Sequence, residues 1–265
     1  MSTEKQRRQA AQRHLQNQLE RRAKDTARRR RTLAIVATVV SVLVVLGAVL
    51  LLTGVFDGDD DTAAADTPQA EGSAGCTYTP DESGNPNLTD VGTPPVPESP
   101  ATGTTTLLMT TGQGDLTLTL DHEKAPCAAA SFSYLAAEKF FDGSPCHRMV
   151  NGEAFGVLQC GDPSGTGQGG PTYKFAEEVT PDTTYPRGTI AMANSGQPGS
   201  TGSQFFLVFA DAQLSPDYTV VGTIDEAGLA VLDQIAEAGN DGSLEPSPGG
   251  GKPNEPVVIE SMTVV

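Results

Sequence analysis

Leu33 to Phe56 is a run of 24 residues without a charged side chain, and it divides the chain into parts that cannot share one fold. At about 1.5 Å per residue, roughly 20 such residues cross a hydrocarbon core, whereas a signal-peptide core holds about 7–15. The run predicts a transmembrane helix over 33–56, with Ala63-Ala64-Ala65 the one stretch that mimics a cleavage site. Arg28-Arg29-Arg30-Arg31 precede it and Asp57, Asp59, Asp60 and Asp61 follow it. The positive-inside rule then keeps the N-terminus cytoplasmic, in a single-pass protein of the cell membrane with everything after about Phe56 extracytoplasmic.

Charge is split the same way. Residues 1–32 hold 11 of the 17 Lys and Arg and only Glu4, Glu20 and Asp25 as acids, so they form a basic cytoplasmic tail. The remainder carries six basic and 30 acidic side chains. A surface that acidic repels phosphate backbones, which argues against nucleic acid as a partner of the outer part.

Residues 57–103 are mostly Asp, Thr, Ala, Pro, Gly, Ser and Glu, with few large apolar side chains. Such a stretch cannot bury a core and reads as a disordered linker, with Cys76-Thr77-Tyr78-Thr79 the one patch suited to being pinned down. From Thr104 the texture changes. Thr104–Thr111 and Asp115–Leu120 alternate around Gly112-Gln113-Gly114, as a hairpin does. A helix is expected over Ala125–Phe141, with Pro126 in its first turn. Further strands are expected at Cys146–Val150, Val157–Gln159, Tyr218–Ile224 and Val257–Val265, with a second helix at Gly228–Ala238 and a loose loop from there to Pro256. Many antiparallel strands and two helices predict a mainly β domain over 104–265, a closed barrel capped by helices.

Two further strands come from Arg187–Gly196 and Gly202–Phe209. In the second, Phe205, Leu207 and Phe209 share one face while Gln204, Phe206 and Val208 share the other. A half-buried strand ordinarily leaves its second face polar. A glutamine beside a phenylalanine there suits a groove with an apolar floor and a hydrogen-bonding group.

Other chemistry finds little support. Three scattered histidines and four cysteines without a Cys-x-x-Cys pair do not make a zinc site. Gly161–Gly170 lacks the Lys-Ser/Thr of a phosphate loop. No Gly-x-Ser-x-Gly elbow is present. An even cysteine count outside the membrane suggests disulfides among Cys76, Cys127, Cys146 and Cys160. If Arg148 and Gln159 face one groove, strand alternation sends Cys146 and Cys160 to opposite sides of the sheet. That favours each pairing with Cys76 or Cys127, with four buried thiols as the alternative.

Phe141-Asp142-Gly143-Ser144-Pro145-Cys146-His147-Arg148 resembles the first signature of the cyclophilin-type peptidyl-prolyl isomerases. Gln159-Cys160-Gly161-Asp162, Met192-Ala193-Asn194 and Gly202-Ser203-Gln204-Phe205-Phe206 are similar to their later blocks, in the family's order. The resemblance implies a closed eight-stranded barrel with two helices and a proline-binding groove on its outer wall. It implies catalysis of Xaa-Pro rotation by Arg148, Gln159 and Phe206, without metal or cofactor. Val157, Ala193, Asn194, Gln204, Leu214 and Tyr218 would bind substrate, a Pro-containing unfolded or exported polypeptide. A low-turnover module that binds Pro-containing peptides is the competing expectation. The chain departs from the family at the insertion Asn151-Gly152-Glu153-Ala154, so that the family's apolar pair before the glutamine maps onto Gly156-Val157, or onto Phe155 if the loop shifts. It departs also at Gln213, where eukaryotic members commonly have tryptophan, and at Tyr218, where many members have histidine.

Overall fold

A computed structural model of the chain describes residues 75–96, 101–152 and 155–265. Among these no helix is long and apolar enough to cross a membrane. The expected basic tail and the expected span Leu33–Phe56 lie outside the described residues.

The alternating hairpin forms as its pattern predicts. Two short strands, β1 (Thr79–Pro80) and β2 (Leu88–Thr89), precede β3 (Thr104–Thr111) and β4 (Gly114–Asp121). Thr111 pairs with Gly114, leaving Gly112-Gln113 as a two-residue turn. Helix α1 (Pro126–Ala137) is followed by β5 (Ser144–Pro145), β6 (Arg148–Gly152), β7 (Phe155–Cys160), β8 (Gly170–Pro171), β9 (Tyr173–Lys174), β10 (Thr189–Met192), β11 (Phe205–Ala210) and β12 (Val220–Ile224). Helix α2 (Glu226–Ala238) and β13 (Val258–Val264) complete the chain.

Nine strands form one curled sheet in the order β5-β13-β3-β4-β12-β10-β11-β7-β6. The expected closed ring of eight strands does not form: the sheet has nine strands and its ends do not pair. β5 and β6 stand at opposite ends of the order although only Cys146 and His147 separate them. Pro145 has no N–H for a ladder, and Cys146 N turns away to donate to Val257 O at 2.8 Å. Alternating residues of β3, β4 and β11 fill the inner face. Leu107, Met109, Leu116, Leu118, Phe205 and Leu207 are each at most 1% exposed and pack with Phe132 and Leu135 of α1 and Leu232 of α2.

Both helix starts are capped by carboxylates. Asp225 accepts from Gly228 N at 2.8 Å in α2. Helix α1 has no side-chain cap of its own, and Glu178 accepts from Cys127 N and Ala128 N at 3.0 and 2.9 Å. The expected extension of α1 to Phe141 does not form. Lys139 adopts φ 57°, and the turn drives Phe141 into the core beside Phe132, ring centroids 5.1 Å apart.

Residues 76–95, expected in the linker, pack against the domain instead. β1 pairs with β9 and β2 with β8. Tyr78 packs edge-on to Tyr173 and Phe175 and donates to Cys127 O at 2.8 Å; Tyr134 donates to Val91 O. A Cys76–Cys127 disulfide staples this arm to α1.

The second disulfide joins Cys146 to Cys160, with Cα atoms 4.0 Å apart, against the expected pairing. Strand alternation does not extend through Cys146. β6 begins only at Arg148, so Cys146 points into the core while Arg148, two residues on, points out.

Candidate active site

On the outer face of the sheet, cross-strand pairing sets functional side chains in one row. Arg148 of β6 is opposite Gln159 of β7, Gln159 is opposite Phe206 of β11, and Phe206 is opposite Ala191 of β10. Directly opposite residues on one face bring their Cβ atoms to about 4.5–5.5 Å. The row therefore runs from a cation through an amide to an aromatic ring in three strands.

Hydrogen bonds connect the polar end. Arg148 Nη1 donates to Gln159 Oε1 at 3.1 Å, Gln159 Nε2 donates to Gln204 Oε1 at 2.8 Å, and Gln204 Nε2 donates to Gly169 O at 3.0 Å. Arg148 Nε and Nη2 donate to Gly249 O and Pro248 O at 3.0 and 2.8 Å. Half-burial lowers the pKa of Arg148, and Tyr218 and Glu245 oppose that shift. The guanidinium stays charged in either case.

The apolar end is a second buried cluster, separate from the core on the sheet's inner face. It holds Val157, Tyr185, Ala191, Ala193, Phe206 and Val208, with Phe155, Leu214 and Tyr218 packed against it. Phe206 meets Tyr218 edge-on, with centroids 5.5 Å apart. Phe155 lies under the Arg148 guanidinium at 6.0 Å, within cation–π range.

A cavity of about 400 Å³ opens over the row. Arg148, Gln159, Ala193, Asn194, Phe206 and Tyr218 all line it. Gln204 lines an adjoining cavity of about 410 Å³ that shares Gln159, Ala193 and Asn194. Val157 is fully buried and Leu214 partly so; both belong to the cluster rather than to either cavity wall. Asn194 Nδ2 donates to Asp217 O at 2.8 Å and Ala193 N to Gln204 O at 2.8 Å, so these groups hold the groove's own backbone.

Several contributors lay outside the sequence expectations. Pro248, Leu244 and Lys252 line the main cavity from the loop after α2, and Asn85 of the arm lines the adjoining one. The run Gly249-Gly250-Gly251 signals close backbone approach, but nothing in it names Arg148 as the neighbour. His147 also borders the main cavity, and its Nδ1 is buried without a partner among the described residues.

The family model for cyclophilin type peptidyl-prolyl cis-trans isomerase/CLD matches residues 106–264. A protein of Mycobacterium leprae named "Probable peptidyl-prolyl cis-trans isomerase B" is 46% identical over 179 residues, which are 63% of this chain and 58% of that relative. The chain thus spans less than two thirds of that protein's length. Peptidyl-prolyl cis-trans isomerase A of Mycobacterium tuberculosis is 37% identical over 61% of this chain and 92% of its own. Among solved structures, a Cryptosporidium parvum cyclophilin type peptidyl-prolyl cis-trans isomerase aligns with TM-score 0.53 and 27% identity, over 62% of this chain and 98% of that one. The same isomerase was solved in the presence of the dipeptide Ala-Pro, and that structure aligns with TM-score 0.52 and 28% identity, over 60% of this chain and 98% of that one.

Proposed function

Because this chain belongs to the cyclophilin-type peptidyl-prolyl cis-trans isomerase family, we propose that its outer domain accelerates rotation about Xaa-Pro bonds in polypeptides folding outside the cytoplasm. The observation that carries this reading is the single row Arg148–Gln159–Phe206 beneath one cavity.

Resonance sets a barrier of roughly 18–20 kcal/mol against rotation, and Xaa-Pro isomers exchange in tens to hundreds of seconds. No bond breaks, so catalysis requires only that the twisted state be bound better than either planar one. In that state the proline nitrogen regains its lone pair. Phe206, backed by Val157 and Tyr218, would hold the pyrrolidine ring. Arg148, fixed by Gln159, would donate to the substrate carbonyl and stabilise the nitrogen lone pair as conjugation is lost. Gln204, Ala193 and Asn194 would border the peptide on either side, and Leu214 would support the ring slot from behind. That the Cryptosporidium relative was solved in the presence of the dipeptide Ala-Pro supports a proline ligand of this kind.

We further propose that Leu33–Phe56 anchors the chain in the membrane with the basic tail inside. Because residues 76–95 pack on the domain, the tether is residues 57–74 rather than the whole of 57–103. Fully extended it would reach at most about 65 Å. Exchange NMR on an Ala-Pro peptide with the full chain tests the activity. Binding without faster exchange would leave a docking module in its place.

A further inference from the structure

The loop between α2 and β13 delivers two backbone carbonyls to the guanidinium of Arg148. A guanidinium has five N–H donors. Arg148 spends one on Gln159, one on Gly249 O and one on Pro248 O, leaving one on each terminal nitrogen. Three acceptors on two elements, β7 and the loop, fix the plane of the fork. Without the loop a single glutamine would hold a long side chain with about 2 kcal/mol of rotamer freedom.

The loop is built to hold those carbonyls. Leu244 N donates to Gly250 O and Gly249 N to Leu244 O, closing it on itself. Glu245 Oε1 accepts from Gly250 N at 2.7 Å across the turn. Asp241 Oδ1 accepts from Ser243 N and Lys252 N, each at 2.9 Å, at the loop's base. Gly251 exchanges two backbone hydrogen bonds with Met149, the neighbour of Arg148 on β6. Gly250 has φ +74°, and a Cβ there would collide with the Met149 carbonyl. The loop is thus fastened to the strand that carries the arginine.

We propose that loop 244–251 is a positioning element for Arg148 and that Glu245 is its positioning residue. Resting on the isomerase reading above, the proposal says how its cation is kept aimed. Among the described residues Glu245 makes no hydrogen bond to Arg148, although its charge acts on the guanidinium. It holds Gly250, which sets where the Pro248 and Gly249 carbonyls sit. A displacement of about 1 Å at a reacting group can cost 100-fold in rate. Loss of one part-buried tie should shift the fork by less.

The test uses the full chain in detergent. Glu245→Ala is expected to lower kcat about 5-fold with KM within 2-fold, and Glu245→Gln, whose amide oxygen still accepts from Gly250, to restore it. Solvent exchange of the Arg148 Nε–H, followed by NMR in arginine-labelled protein, is expected to speed up in Glu245→Ala and to stay slow in Glu245→Gln. Gly250→Ala is a second variant that pushes the loop off β6 by a different route. Unchanged kcat and unchanged Nε–H exchange in both folded alanine variants overturn the proposal. An inactive wild type would instead overturn the isomerase reading, and the Nε–H exchange would still decide whether the loop holds Arg148.

Discussion

Arg148 and Gln159 face each other across two neighbouring strands and are joined by a 3.1 Å hydrogen bond that continues to Gln204. The amide of Gln159 faces both ways, accepting from the cation and donating to the next glutamine. Gln159→Leu fills similar space but removes both functions. We expect kcat/KM to fall about tenfold, roughly 1.4 kcal/mol of transition-state stabilisation. Folding stability should drop by about 1 kcal/mol as Gln204 loses its donor. Exchange NMR and urea titration measure the two effects separately. An unchanged kcat/KM would remove Gln159 from the site.

Phe206 separates binding from stability. Its ring is only 6% exposed, so Phe206→Ala leaves a hole in the outer cluster and should cost about 3 kcal/mol on unfolding. If the ring also floors the proline slot, KM should rise about tenfold in molecules that remain folded. Phe206→Leu should keep most of the stability while still raising KM. A leucine variant with wild-type KM would mean that Phe206 serves only packing.

The outer face of β11 was readable because its alternation is uninterrupted. Phe205, Leu207 and Phe209 lie in the core and Phe206 on the opposite face, as the two-residue period demands. The same rule misled at Cys146, where the strand had not yet begun and the period did not apply. The arm was legible only at Cys76-Thr77-Tyr78-Thr79, the patch suited to being pinned down, and the rest was hidden for another reason. Its anchors are Tyr78, Leu88 and Val91 among polar residues, too sparse to show a pattern, and its main link is a disulfide whose partner lies 51 residues away. Backbone carbonyls such as Gly249 O have no side-chain signature. The loop carrying them read as merely loose, and its contact with Arg148 was illegible.

The Cys76–Cys127 bond makes a prediction about the arm. Closing a loop of 51 residues is worth about 4 kcal/mol by chain entropy. The double variant Cys76→Ser, Cys127→Ser should lose about 3–4 kcal/mol in urea denaturation while kcat changes by less than twofold. The arm meets the cavities only through Asn85, beside Gln168, whose carbonyl accepts from Asn85 Nδ2 at 2.7 Å. A stability loss below 1 kcal/mol would show that the arm remains docked without its staple.

His147 predicts a pH effect on stability. Burial lowers its pKa below the usual 6.5; Asp162 opposes the shift and Arg148 adds to it. Below about pH 6.5 the unfolded chain takes up a proton that the folded protein resists. Stability therefore falls as pH drops from 6.5 toward the folded pKa, by up to about 1.4 kcal/mol per pH unit from this group. Urea midpoints at pH 7.5 and 5.5 should differ more for the wild type than for His147→Asn. Parallel losses in the two proteins would assign the effect to other groups.

Arg148 is the group proposed to favour the twisted Xaa-Pro bond. Two-dimensional exchange NMR on an Ala-Pro peptide, with the full chain in detergent, compares wild type with Arg148→Ala at equal concentration. Removing a preorganised donor of this kind costs about 100- to 1,000-fold in rate. Arg148→Ala is expected to lose at least 100-fold of the enhancement while a cysteine assay shows both disulfides intact. Equal exchange rates for the two proteins would contradict it.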